Sequence, residues 1–179
     1  MVAEGNRLLR ARRLAEAETM FSSALVKAPT MAEAKAGLAA CRYVAGNLAD
    51  AKRLAAEALS AQPGNTQALG LSGIVAWRQG DLGTATRLLG QAIKRDPKEA
   101  QWHNYMGIVW YARNKTAAAL RELNRALELD PNSPEAHFNL AVMQATDNPP
   151  RLQAARQHYQ ASLSLGAARD EKLEKMLYP

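Results

Sequence analysis

Four prolines, Pro29, Pro63, Pro97 and Pro131, stand 34 residues apart, and that regularity restricts the chain to architectures in which one short unit is copied and stacked. Proline stops a helix because it lacks an amide hydrogen and its ring clashes with the preceding turn. Between successive prolines, two helix-sized apolar patterns flank a polar break, so each unit reads as a helical hairpin. Lys98 to Pro131 shows this most clearly. One such hairpin cannot bury its own apolar face and needs a neighbour to cover it.

The units are expected at about 1–29, 30–63, 64–97, 98–131 and 132–167. Their breaks fall at Gly46-Asn47, Gly80-Asp81 and Asn114-Lys115. Glycine or asparagine can take the left-handed conformation that ends a helix, and Asn47 can cap the next one. In the fifth unit Ser133 and Pro134 form a strong helix start, while Asp147-Asn148-Pro149-Pro150 lengthens the hairpin loop. Ala155, Tyr159 and Ser162 therefore come two residues later than the period requires. Residues 168–178 read as a short capping helix with Leu173, Met176 and Leu177 on one side, because the end of a stack must present a polar outer face. Projecting the period backwards leaves the first helix short of its opening turn. Either sequence precedes Met1 or the first helix is simply shortened.

The recurring small and large residues resemble the tetratricopeptide repeat (TPR) family over essentially the whole chain. The small first-helix position falls on Gly5, Ala39, Gly73, Gly107 and Ala141. The second-helix series falls on Ala17-Phe21-Ala24, Ala51-Ala55-Ala58, Ala85-Leu89-Ala92, Ala119-Leu123-Ala126 and Ala155-Tyr159-Ser162. Small residues let two helices approach closely while larger neighbours fill the gaps. The late first-helix aromatic of the family pattern is replaced by Leu8, Arg42, Ala76 and Gln144, and kept only as Trp110. The resemblance implies an all-α right-handed solenoid of about five TPR hairpins with a C-terminal capping helix, spanning 1–179 as a single domain.

Composition narrows the function. Lys and Arg exceed Asp and Glu by 23 to 17, giving a net charge of +6, but the basic residues are dispersed, so a solvated surface is favoured over a nucleic-acid or anionic-membrane footprint. The single cysteine, Cys41, precludes an intrachain disulfide and is expected to be buried. No apolar leader segment opens the chain and no run approaches a membrane span, so the expectation is a soluble protein of cytoplasm or periplasm, or a fragment of something larger. His103 and His137 occupy corresponding first-helix places, and His158 lies on a second helix. Neither His103 nor His137 has a carboxylate or thiol beside it at ligand spacing, so packing roles are expected for both and a surface place for His158, with no metal and no cofactor. No phosphate-binding loop, nucleophile elbow or HExxH helix is present, and a non-enzyme is expected.

A second apolar stripe on the first helices bears on partners. Met106, Gly107 and Trp110 suffice to pack a first helix on its second, yet Ile108 and Tyr111 lie about 100° further round. The stripe repeats in register as Ala40, Ile74, Ile108 and Val142, and as Tyr43, Trp77 and Tyr111. The resemblance implies that this side of the first helices lines a concave groove, with Leu71, Tyr105 and Phe138 extending the wall and Asn104 and Asn139 offering amide hydrogen bonds. Such a wall suits an apolar peptide or one face of an amphipathic helix. The same ladder could instead complete packing between consecutive first helices, or bury against another copy of the chain. A subset of the family grips terminal carboxylates of heat-shock chaperones; the corresponding places here, Val2, Asn6, Gly37, Gln67 and Leu71, supply only one suitable side chain, Asn6.

Overall fold

The breaks expected from the 34-residue period are helix ends in the computed structural model, which describes residues 1–178 and, among them, eleven helices and no strand. The contacts divide the chain into two units, Met1–Asp96 and Pro97–Pro179. The first holds α1 (Val2–Arg10), α2 (Leu14–Lys27), α3 (Ala32–Val44), α4 (Leu48–Ala61), α5 (Thr66–Arg78) and α6 (Leu82–Arg95). The second holds α7 (Ala100–Ala112), α8 (Thr116–Leu129), α9 (Pro134–Ala145), α10 (Leu152–Ser164) and α11 (Glu171–Leu177). Each odd helix up to α9 pairs with the even helix that follows, and within each unit the pairs stack on one another.

The turns follow the backbone chemistry of their residues. Gly46 and Gly80 take φ of +82° and +81°, and Asn114 takes φ of +58° in the same register. After Gly46 the Asn47 amide donates back to the Arg42 carbonyl at 2.9 Å, closing the α3 C-terminus. The Asn47, Asp81, Ser133 and Asp170 side chains then accept the first free amides of α4, α6, α9 and α11. The first hairpin reaches the same left-handed turn with Arg12, at φ of +57°. A residue with a Cβ is disfavoured there by roughly 1–2 kcal/mol. Arg12→Gly is therefore expected to stabilise the N-terminal unit by about 1 kcal/mol, read as a higher urea midpoint at unchanged slope.

Small first-helix residues set the spacing inside the hairpins. A Cβ on Gly73 would come within 2.8 Å of Leu89 Cγ, and one on Gly107 within 2.6 Å of Leu123 Cγ. In the first hairpin the large residue is Phe21, fully buried with Leu8, Ala17 and Cys41 around it. Burial pushes the pKa of the Cys41 thiol up to about 11, with the Glu18 carboxylate adding to the shift. At pH 7 the thiolate fraction is on the order of one in ten thousand. A thiol reagent is accordingly expected to label Cys41 only on denaturation; prompt labelling of the native chain would contradict its burial.

At the other end α11 lies on α9 and α10 as the expected cap. Leu173 and Leu177 join a core of Ala141, Ala145, Ala155 and Tyr159. Among the described residues no helix is long and apolar enough to cross a membrane.

Candidate functional site

The side chains singled out on the first helices divide by accessibility. In the N-terminal unit Leu71 and Ile74 of α5 are only 4% and 1% exposed. Leu71 packs with Ala39, Leu54 and Ala55, and Tyr43 of α3 leans on the same cluster. Tyr43 and Trp77 are half-buried and keep accessible area. The Arg78 guanidinium lies 6.0 Å from the Trp77 ring centre, at the outer limit of a cation–π contact. Gly37 is buried and directed at the Phe21 ring, so it belongs to the core and not to a ligand-facing surface.

In the C-terminal unit α7 and α9 are neighbours, and their facing sides carry seven of the expected residues. Asn104 is 6% exposed, and its side-chain oxygen accepts a hydrogen bond from Asn139 Nδ2 at 2.9 Å. Tyr105, Ile108, Tyr111, Phe138, Asn139 and Val142 are half-buried. The Tyr111 hydroxyl bonds Thr146 Oγ1, which itself donates to the Val142 carbonyl at 2.7 Å. Phe138 and Val142 pack from outside on the Tyr159 core, and Tyr111 on the core of Leu123, Leu140 and Met143. The result is a platform of two cross-linked helices whose aromatic and aliphatic side chains rest on the core and remain partly accessible. Two of its polar contacts are internal: Asn139 Nδ2 donates to Asn104 Oδ1, and Tyr111 is held by Thr146, which is not among the expected residues.

The histidines take structural positions. His103 places Nδ1 at 2.8 Å from Glu122 Oε2 of α8 and Nε2 at 3.2 Å from the Pro97 carbonyl. His137 repeats the second contact with the Pro131 carbonyl at 3.2 Å, but its Nδ1 meets Nδ1 of His158 at 2.9 Å. Among the described residues no three His, Cys, Asp or Glu side chains gather to hold a metal ion.

Family models described as Tetratricopeptide repeat match residues 8–73, 71–134 and 111–171. No curated protein matches in sequence. Among solved structures, a thermophilic TPR protein of Thermus thermophilus is similar at a TM-score of 0.74 and 24% identity, over 98% of this chain and 94% of that one. Pseudomonas aeruginosa pilF is similar at 0.73 and 21%, over 98% and 78% of the two chains. YrrB, described as a TPR protein with an unusual peptide-binding site, is similar at 0.59 and 20%, over 96% and 87%. At these identities the likeness carries the fold.

Proposed function

Because the chain belongs to the tetratricopeptide repeat family, all-α solenoids that act as protein-interaction modules, we propose that it is a non-catalytic adaptor binding an apolar peptide, or the apolar face of an amphipathic helix, along its first helices. The observation that carries this reading is the α7–α9 platform. Tyr105, Ile108, Tyr111, Phe138 and Val142 are each half-buried, so each has area left for a partner to cover. Their backing is fixed by the Asn139–Asn104 and Tyr111–Thr146 bonds. A surface already ordered in this way loses little entropy on binding, and aromatic anchors supply most of the energy of such contacts. In the N-terminal unit Tyr43 and Trp77 offer a smaller surface of the same chemistry. The peptide-binding site described for YrrB lends support. An apolar ligand is preferred to an ionic one because the platform side chains are mostly aromatic or aliphatic and none is charged.

The test is selection from a displayed peptide library, followed by direct binding of the enriched sequences. Parent protein is expected to enrich peptides with spaced apolar or aromatic residues. Ile108→Asp, which places a charge on the platform without breaking a hydrogen bond, is expected to weaken binding at least tenfold at unchanged helicity. Tyr111→Ala is a poorer probe because it also removes the Thr146 contact. Undiminished binding by Ile108→Asp would sink the proposal. If light scattering shows mass growing with concentration, and Ile108→Asp abolishes that growth, the platform joins copies of the chain instead.

A further inference from the structure

We propose that His137 and His158 form a proton-operated latch on the α9–α10 hairpin, closed by one shared proton and opened by a second. Donor and acceptor roles fix where the protons sit. A backbone carbonyl only accepts, so the contact with the Pro131 carbonyl at 3.2 Å puts a proton on His137 Nε2. Between His137 Nδ1 and His158 Nδ1, 2.9 Å apart, there is room for one proton, given by one ring and accepted by the other. With both rings fully protonated, two N–H groups and two positive charges would point at each other across that gap. The hydrogen bond then becomes a repulsion.

The equivalent place one hairpin earlier behaves in the opposite way. His103 faces acceptors on both sides, the Pro97 carbonyl at 3.2 Å and Glu122 Oε2 at 2.8 Å, so a proton on each nitrogen completes both bonds. The His103 contacts therefore accommodate a proton on both ring nitrogens, and the His137–His158 contact does not. The difference lies in the second helix, which presents a carboxylate, Glu122, to His103 and an imidazole, His158, to His137.

Burial and the neighbouring ring both oppose the second charge. Burial, and next the charge of His137, hold His158 below the ordinary histidine value. The unfolded chain thus binds the proton more readily than the folded one, and the stability owed to this group is present above about pH 6.5 and lost as pH falls below it. The charged groups on the elements packed against the hairpin either have other partners or face solvent. On α8, Glu122 faces His103 and Glu128 bonds Arg125. Asp130, after α8, accepts the Asn132 amide. Asp147 in the hairpin loop pairs with Arg151, and Arg156 of α10 donates to the Leu177 carbonyl. Glu174 of α11 takes the Tyr159 hydroxyl and Arg169. Arg121, Glu171, Lys172 and Lys175 are exposed to solvent, and Glu135 of α9 is exposed with an interaction of its own. A metal ion is a poorer occupant than a proton, because a structural site needs about four ligands and no third is gathered among the described residues.

The consequence reaches beyond stability, since α9 carries Phe138, Asn139 and Val142. Opening the hairpin would loosen half of the α7–α9 platform, in the manner of histidine pairs that switch interfaces at mildly acidic pH. Hydrogen exchange on the full chain tests this, with rates corrected for the intrinsic effect of pH. Between pH 7.5 and 5.5 the α10 amides are expected to lose protection severalfold, with about tenfold as the ceiling for one proton excluded from the folded state, while those of α7 and α8 hold, and His158→Gln is expected to abolish the difference. Equal protection at both pH values, or the same loss in His158→Gln, would overturn the latch. Should that variant fold poorly, a histidine NMR titration of the parent decides: two steps more than one pH unit apart support the latch, and independent titration at ordinary values refutes it.

Discussion

Gly37→Ala is expected to destabilise the N-terminal unit by about 3 kcal/mol, at the upper end of what overfilling a core costs. Ordinarily glycine to alanine inside a helix gains about 1 kcal/mol of helix propensity, so the sign of the result is diagnostic. A Cβ on Gly37 would sit 2.2 Å from Phe21 Cε1 and 2.3 Å from Cζ. A Cβ on Gly5 would meet the same ring edge, Cε1 at 2.7 Å, so the backbones of both glycines lie close against it. Phe21 of α2 is thus inserted between a glycine of its own hairpin and a glycine of the next, with no exposed surface. The measurement is a urea titration of Gly37→Ala with and without Phe21→Leu. The shorter side chain is expected to recover at least half of the loss, whereas an unshifted midpoint in the single variant, or no recovery in the double, would show that the ring is not confined.

Gly37 also marks how far the sequence can be read. The period, the second-helix series and the glycine breaks are all visible, because each depends on a local rule of the backbone or on helix periodicity. Arg12 is not visible as a left-handed turn residue, since an arginine gives no local sign of adopting φ of +57°; only its place 34 residues before Gly46 points to it. The groove residues stand out through a 34-residue ladder, which identifies equivalent positions but not touching ones. The hydrogen bonds in the C-terminal unit join Asn104 to Asn139 and Tyr111 to Thr146, each 35 residues apart. A ladder offset by one residue picks out Thr146 and pairs Asn139 with Asn104. Likewise Ile74 stands in register with Ile108, yet it is 1% exposed while Ile108 is half-buried. Repeat position fixes which way a side chain points; the neighbouring helices decide how much of it stays accessible.

Tyr159 is the C-terminal counterpart of Phe21, and its replacement by alanine is expected to unfold the last hairpin together with α11. The side chain is 1% exposed, and its hydroxyl accepts the Asp170 amide at 2.8 Å and donates to Glu174 Oε1 at 3.0 Å. Removing a buried aromatic side chain costs about 3–5 kcal/mol. In a stack where each hairpin contacts only its neighbours, that loss falls on the terminal hairpin and is not shared along the chain. Tyr159→Phe separates the two roles of the residue. It keeps the ring against Phe138, whose centroid is 6.5 Å away, but leaves the Asp170 amide and the Glu174 carboxylate without their phenol. Both groups are part-buried and Glu174 keeps Arg169, so the cost is about 1 kcal/mol, and it acts where α11 begins. The phenylalanine variant should therefore release α11 while α9 and α10 remain folded, whereas the alanine variant should release all three. Limited trypsin digestion reads the difference: cleavage at Lys172 and Lys175 is expected to accelerate in both variants, and cleavage at Arg156 only in Tyr159→Ala. Unchanged cleavage at Lys172 and Lys175 in Tyr159→Phe would mean that Leu173 and Leu177 alone hold the cap in place.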